Sequence, residues 1–420
     1  MRPAGRGGFA ALDNCVHCGF CLQACPTFLA TGDEADGPRG RIALMRALEQ
    51  GELTSEDPGL RYHLDRCLGC RGCEPVCPSG VGYGAGLEAA RQRLTDRRAP
   101  PLLARLALVA MTSSALSGIV YATARAVRAS GVPGALAGWG RLRFAMGMLA
   151  ATKADGRSEA DGRAGGQAVP GSVRPPDRPT AVSLFRGCIM EGLFAHVHDA
   201  TIRTLGVNGC TVEEVPGQVC CGALHAHAGW HAAAQTLART NVVAFGTGEE
   251  PIVVNSAGCG AQLRAYGTLL EDEPAASRFA ARVRDVTEIL AERGPVAGAA
   301  LRLRVAYDAP CHLLHAQRVA EPPFAVLRAV PGLDVRPTAD SAQCCGAAGL
   351  YGLLQPELSR AVLAPKLAQL LEDPPDVLTS GNPGCVMQLG AGLRAARARV
   401  QVCHPVEVLD VSYAAAGFYR

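Results

Sequence analysis

Eight of the 18 cysteines in this 420-residue chain form two copies of one motif, C-x2-C-x2-C-x3-C-P. The copies are "CVHCGFCLQACP", Cys15 to Pro26, and "CLGCRGCEPVCP", Cys67 to Pro78. Three thiolates at this spacing share one tight loop and can take three corners of an iron–sulfur cube. Gly19, Gly69 and Gly72 are expected to let backbone N–H groups turn toward the sulfurs, and such hydrogen bonds help set a cluster's potential. The proline after each fourth cysteine lacks an N–H and redirects the chain. Zinc is the alternative, since eight thiols suffice for two tetrahedral sites. Three ligands crowded on one turn and followed each time by Cys-Pro favour the cluster.

In two-cluster proteins with this motif the fourth cysteine serves the other cluster. Cys15, Cys18, Cys21 and Cys77 are therefore assigned to one [4Fe–4S] centre, and Cys67, Cys70, Cys73 and Cys25 to a second.

Eight further cysteines mark an internal repeat. "TAVSLFRGC" ends at Cys188 and "LRVAYDAPC" at Cys311. "VCCGALHAHAG" carries Cys220 and Cys221, and "QCCGAAGLYG" carries Cys344 and Cys345. "PIVVNSAGC" ends at Cys259 and "DVLTSGNPGC" at Cys385. Two matching Cys-Cys-Gly triplets are hard to read as core packing. Each module therefore offers four sulfurs for an iron–sulfur centre, for zinc, or for thiol redox chemistry. Cys210 and Cys403 have no counterpart in the repeat and are read as structural. His196, His198, His225, His227 and His231 crowd the first module; a metal role competes with ordinary packing, and most lack equivalents in the second copy. His312 beside Cys311 is placed to tune a neighbouring site.

The elements that must hold these sulfurs follow from composition and periodicity. Residues 1–90 read as a mainly helical, ferredoxin-like domain, with Ile42, Leu44, Met45 and Leu48 at helical intervals. A basic helical segment spans 91–151; residues 91–153 carry ten Arg/Lys and a single acid, Asp96. Nineteen uncharged residues from Leu106 to Ala124 approach the length of a membrane span, but serines and threonines interrupt them. An Arg-flanked amphipathic helix docking on a partner or a membrane surface fits them, as does a pair of ordinary helices covering a core. Residues 152–180, rich in Gly, Pro, Asp and Arg, read as a flexible linker. Two α/β modules follow at 181–300 and 301–420, giving a multidomain α/β fold whose sites sit beyond strand C-terminal ends.

Bulk properties narrow the function. A net charge of +3 is too mild, and 5% aromatics too few, for a nucleic-acid binder. The opening "MRPAGRGGFAALDN" has no apolar core or cleavage site, so a cytoplasmic chain with reduced thiols is expected. Lysine occurs only at Lys153 and Lys366, which reads as coding bias. A G-x-G-x-x-G dinucleotide fingerprint after a strand is missing, as is an evident acid/base pair for substrate oxidation.

With these residues in view, the chain resembles the iron–sulfur subunit of bacterial glycolate oxidase, also called glycolate dehydrogenase. The resemblance runs through "CVHCGFCLQACPTFLATGDEADGPRGRIALMRAL", "HLDRCLGCRGCEPVCPSGVGYG" and both CCG modules. It implies an electron-transfer subunit, with the substrate-oxidising flavin on partner chains and a quinone or similar acceptor downstream. It also allows peripheral contact with the cytoplasmic membrane. The CCG modules alone are shared with heterodisulfide reductase subunits, lactate-utilisation proteins and anaerobic glycerol-3-phosphate dehydrogenase. Where the heterodisulfide reductases end each module in C-x-x-C, this chain has Ser256 and Asn382 in place of the first cysteine, which leaves four-cysteine sites. The rivals are a D-lactate or glycerol-3-phosphate dehydrogenase subunit, a zinc-stabilised scaffold, and CCG modules that themselves catalyse disulfide chemistry.

Overall fold

The computed structural model describes residues 8–97, 101–153 and 179–419. The linker expected at 152–180 falls almost wholly on residues 154–178, outside the described residues.

The N-terminal domain is helical around its cysteine loops. Helix α1 (Pro26–Thr31) begins at the proline of the first motif and stops at left-handed Gly32. Helix α2 (Pro38–Gln50) buries Ile42, Met45 and Leu48, while Leu44 is only half-buried. Helix α3 (Pro58–Asp65) is capped by Asp57, whose carboxylate accepts from the backbone N–H of Gly59 (2.9 Å) and Leu60 (3.0 Å). Helix α4 (Tyr83–Arg97) adds Leu87, Ala90 and Leu94 to the core and runs across the expected boundary at residue 90. The second Cys-Pro pair starts no helix: Pro78 sits in a turn.

The basic segment forms helices α5 (Leu102–Thr112), α6 (Ser114–Ala129), α7 (Val132–Leu136) and α8 (Arg141–Ala150). Ser113 breaks the uncharged run, its hydroxyl accepting from the N–H of Leu116. No single described helix is long and apolar enough to cross a membrane; Ala104–Thr112 and Ala115–Ala129 meet that test only together, across a 108° bend. One side of the segment does cover cores. Arg125 and Arg128 of α6 donate to the carbonyls of Gly192 (2.8 Å) and Leu193 (3.0 Å) in the first module. Gly147 of α8 packs on Ala391 of the second. The other side leaves Leu102, Leu106, Ile119, Val120, Trp139 and Leu142 exposed. The covering role expected from sequence is thus met on one side of the segment, while the other side is apolar and exposed.

Each module carries a four-stranded parallel sheet. Strands β1 (Thr180–Phe185), β2 (Cys210–Glu214), β3 (Ile252–Val254) and β4 (Val283–Asp285) lie in the order β2-β1-β3-β4. Strands β5 (Arg304–Tyr307), β6 (Asp334–Pro337), β7 (Val377–Thr379) and β8 (Gln401–Cys403) repeat it as β6-β5-β7-β8. Central β3 and β7 are buried along their whole length and are accordingly uninterrupted runs of Ile, Val, Leu and Thr. One hydrophobic core joins the modules, with Val182, Leu184 and Val253 of the first meeting Val305, Tyr307 and Tyr413 of the second. Arg203 clamps Asp410 across them in two hydrogen bonds of 2.8 and 2.6 Å.

One of the two lysines is buried beside the second module's cysteines. Lys366 Nζ lies 2.6 Å from Asp308 Oδ1 and donates to the carbonyl of Asp340 at 3.0 Å. Asp308 follows β5 and leads into Cys311. Removing one partner of a buried pair strands the other, so Lys366→Met should cost about 3–5 kcal/mol. Pairing it with Asp308→Asn should recover much of that loss, as read by urea denaturation.

Candidate iron–sulfur sites

Both N-terminal loops twist alike. His17 (φ 52°) and Gly69 (φ 64°), before the second cysteine of each motif, are left-handed. So are Gly19 (φ 84°) and Arg71 (φ 60°), just after it. The repeated twist folds the backbone around the sulfurs, and Gly69 N–H donates to Cys67 Sγ at 3.4 Å. Gly72 is not left-handed, yet its backbone N–H reaches the Cys70 sulfur as expected, and a side chain there would meet the Ala24 carbonyl and the His315 ring at ordinary contact distance.

The loops gather their sulfurs into two crossed sets. The charge neighbours of Cys21 are Cys15, Cys77 and Cys18. Those of Cys73 include Cys70, Cys67 and Cys25. Each fourth cysteine therefore joins the opposite loop's set, the arrangement the motif predicts. The outer set, Cys15, Cys18, Cys21 and Cys77, borders a small cavity with Pro38, Ile42 and Tyr83, and Cys18 is exposed. Val16 (69% exposed), Phe20 (67%) and Val76 form an apolar collar on it. The inner set is more enclosed: Cys25, Cys67 and Cys73 are buried and Cys70 is half-buried. Burial and neighbouring sulfurs push the Cys73 thiol well up, and burial raises Cys21 to about 11.

Polar residues outside the motif complete the inner set. The Tyr83 hydroxyl donates to Cys67 Sγ at 3.5 Å, and the Cys25 thiol lies 3.3 Å from Thr27 Oγ1. Arg41 is 0% exposed and has Cys67 and Cys25 among its charge neighbours. Its guanidinium donates to Thr27 Oγ1 (3.0 Å), Asp36 Oδ1 (3.4 Å) and the His63 carbonyl (2.7 Å). Sequence reasoning passed over Arg41, although it lies in the first segment that carries the family resemblance.

The two modules repeat a pairing of sulfurs. Cys188 lies 3.5 Å from Cys220, and Cys221 lies 3.2 Å from Cys259. In the second copy Cys311 lies 3.9 Å from Cys344, and Cys345 lies 3.2 Å from Cys385. Left-handed Gly222 and Gly346 follow each Cys-Cys pair, which accounts for the third letter of CCG. Cys259 and Cys385 sit in the first turns of the helices Ala257–Arg264 and Pro383–Ala395, and the hydrogen bond with Cys345, with burial, pushes the Cys385 thiol well up. Hydrogen bonds from Cys188 and Cys221 pull the Cys220 thiol well down.

A tetrahedral zinc–thiolate site sets its sulfurs about 3.8 Å apart, given bonds of about 2.3 Å. Among the described residues, only Asp33, Asp36 and His63 bring three candidate ligand atoms within 4.8 Å of one another. No three sulfurs of any set do, while the sulfur pairs within each module, at 3.2–3.9 Å, stand near the zinc–thiolate spacing.

The module sites touch through the two residues that replace cysteines. Asn382 Nδ2 donates to Cys385 Sγ at 3.4 Å. Its Oδ1 accepts from Gly258 N–H (3.2 Å) and Ser256 Oγ (3.3 Å) across the module boundary. Cys70 of the inner set faces Cys344, and Cys70 packs against the cluster of Leu68, Cys311, Cys344 and Tyr351.

The histidines do not converge on a common point. His198 bonds the Arg186 carbonyl and Asn255, His196 lies 3.4 Å from Glu407, and His225 is buried beside Cys220. His227 approaches Glu88 (3.5 Å) and the His312 ring (5.4 Å), while His231 lines the same large cavity between α4 and the modules. His312 Nδ1 lies 3.5 Å from Cys311 Sγ. Cys210 and Cys403 lie on different strands, β2 and β8, away from the sulfur sets.

Comparison with known proteins agrees with this layout. A 4Fe-4S dicluster domain model matches residues 11–81, and a cysteine-rich domain model matches 182–264 and 305–390. The "Probable glycolate oxidase iron-sulfur subunit" of Bacillus subtilis is 32% identical, covering 94% of this chain and 93% of the relative. The "Glycolate oxidase iron-sulfur subunit" of Escherichia coli is also 32% identical, with the same coverage. This chain belongs to the glycolate oxidase iron–sulfur subunit family. "Lactate utilization protein A" of Shouchella clausii is 28% identical over 54% of this chain. Membership makes the chain an iron–sulfur protein of an oxidoreductase, with the dicluster domain on the two crossed N-terminal sets.

Crossing has a direct test. Cys25→Ser should remove the centre of the Cys67 loop and spare that of the Cys15 loop; Cys77→Ser should do the reverse. Iron and sulfide analysis with EPR of the reduced variants reads the difference. Loss of the centre in the mutated cysteine's own loop would contradict the crossed sets.

Proposed function

We propose that this chain is the electron-carrying subunit of a complex that oxidises glycolate to glyoxylate. The observation that carries the reading is the pair of crossed four-sulfur sets, one reaching the surface and one more enclosed. By this reading Cys15, Cys18, Cys21 and Cys77 hold one [4Fe–4S] centre, and Cys25, Cys67, Cys70 and Cys73 a second. The four cysteines of each CCG module hold further iron–sulfur centres. These centres supply one-electron steps between a two-electron flavin on a partner subunit and a quinone-type acceptor. The protein's own contribution is spacing, dryness and hydrogen bonds to sulfur. The collar of Val16, Phe20 and Val76 offers the flavin-bearing partner an apolar seat over the outer set.

Mixing the anoxically purified complex with glycolate should bleach the iron–sulfur absorption faster than D-lactate or glycerol 3-phosphate does. Phe20→Glu should keep its iron yet lose this bleaching and the partner on gel filtration. Faster bleaching by D-lactate would transfer the reading to a lactate dehydrogenase subunit.

We further place the chain in the cytoplasm, resting on the membrane's cytoplasmic face through α5–α7. Leu102, Leu106, Ile119, Val120 and Trp139 are exposed there, and residues 97–153 contain arginines but no carboxylate side chain. The protein should float with vesicles containing phosphatidylserine and release in high salt. Failure to bind, or equal binding to neutral vesicles, would remove the electrostatic part of this placement.

A further inference from the structure

The two N-terminal sets differ in the cation each faces. The outer set has Arg39, whose Nη1 donates to the His17 carbonyl at 3.2 Å. Arg39 is half-buried and paired at 2.5 Å with the exposed Glu34, so its field on the sulfurs is largely cancelled and partly screened. Arg41 faces the inner set with no exposed surface. Its counter-ion Asp36 is shared: Arg66 lies 2.8 Å from Asp36 Oδ2 and His63 Nδ1 lies 3.0 Å from Oδ1. Two guanidinium groups therefore stand against one carboxylate, leaving net positive charge in a dry region. A guanidinium does not deprotonate in proteins, and its field there is several times stronger than at the surface.

Arg41 is also held in place for this task. It donates to Thr27, Asp36 and the His63 carbonyl, and Thr27 in turn contacts Cys25 and donates to the Asp36 carbonyl at 2.7 Å. A reduced iron–sulfur centre carries one more negative charge than an oxidised one, so a nearby fixed cation favours reduction.

Resting on the reading of both sets as iron–sulfur sites, we infer that Arg41 is a positioning residue that raises the inner set's reduction potential above that of the outer set. The surface set then yields an electron readily to the enclosed one. The enclosed set is the one whose Cys70 faces Cys344 of the second module. The step is a single-electron transfer, with no bond made or broken and no proton required.

The test uses the full chain, purified and reconstituted anoxically, with each N-terminal centre titrated by EPR. Cys77→Ser and Cys25→Ser preparations assign the two signals. Arg41→Gln should shift the inner potential downward and leave the outer one in place, while Arg41→Lys should keep most of the wild-type value. Asp36→Asn, which frees Arg41 of its counter-ion, should shift the inner potential upward. Arg39→Gln should move neither potential appreciably. Opposite shifts from Arg41→Gln and Asp36→Asn at full iron content do not arise from packing damage alone. Should Arg41→Gln fail to load iron, the upward shift in Asp36→Asn and retention in Arg41→Lys still decide the matter. Unchanged inner potentials, or equal shifts at both centres, would overturn the role of Arg41 while leaving the iron–sulfur reading intact. A wild-type chain whose N-terminal sets hold no iron would overturn both.

Discussion

Sulfurs brought together in a dry interior repel one another once ionised, and the fold is arranged around that repulsion. Burial drives the thiols of Cys73, Cys25 and Cys21 upward, and neighbouring sulfurs add to the effect. Left to themselves these groups keep their protons. A multivalent iron centre reverses the balance, because it binds the thiolate and releases the proton. The polar details near the N-terminal sulfurs work in the same direction: N–H groups aimed at them and the Arg41 guanidinium. Metal loading and consolidation of the cysteine loops are therefore coupled in the N-terminal domain, whose core includes Cys67 and Cys73.

Much of this was legible in the residues alone. Spacing marked the two loops and gave the expectation that they exchange fourth cysteines, because the C-x2-C-x2-C geometry leaves few ways to coordinate iron. The CCG repeat announced duplicated α/β modules, and the two sheets share one strand order. What spacing could not give was the company each sulfur keeps. Arg41 reads as one arginine among many until α2 turns it inward against Cys25 and Cys67. Lys366 seemed a relic of coding bias, yet it sits in a buried double ion pair. Left-handed His17 and Arg71 were invisible because glycine is the usual mark of that conformation. Contacts between distant segments, such as Cys70 with Cys344, depend on tertiary packing that no local pattern encodes.

The two residues that stand three before Cys259 and Cys385 tie the modules together. Ser256 caps its helix by accepting from Cys259 N–H, and Asn382 donates to Cys385 while accepting from the other module. Both residues fix the neighbours of the module cysteines. The Asn382 amide has its orientation set by Gly258 N–H, so its donor end has no choice but sulfur.

One hydrophobic core is shared by both sheets, beside a further core within each module. The halves of the repeat are accordingly not beads on a string. Any swivel of one against the other would tear open shared apolar surface, so the spacing between their cysteine nests is as rigid as the interior of one domain. Duplication here has ended in a shared interior, and cutting either copy away would expose the apolar face that the other now covers.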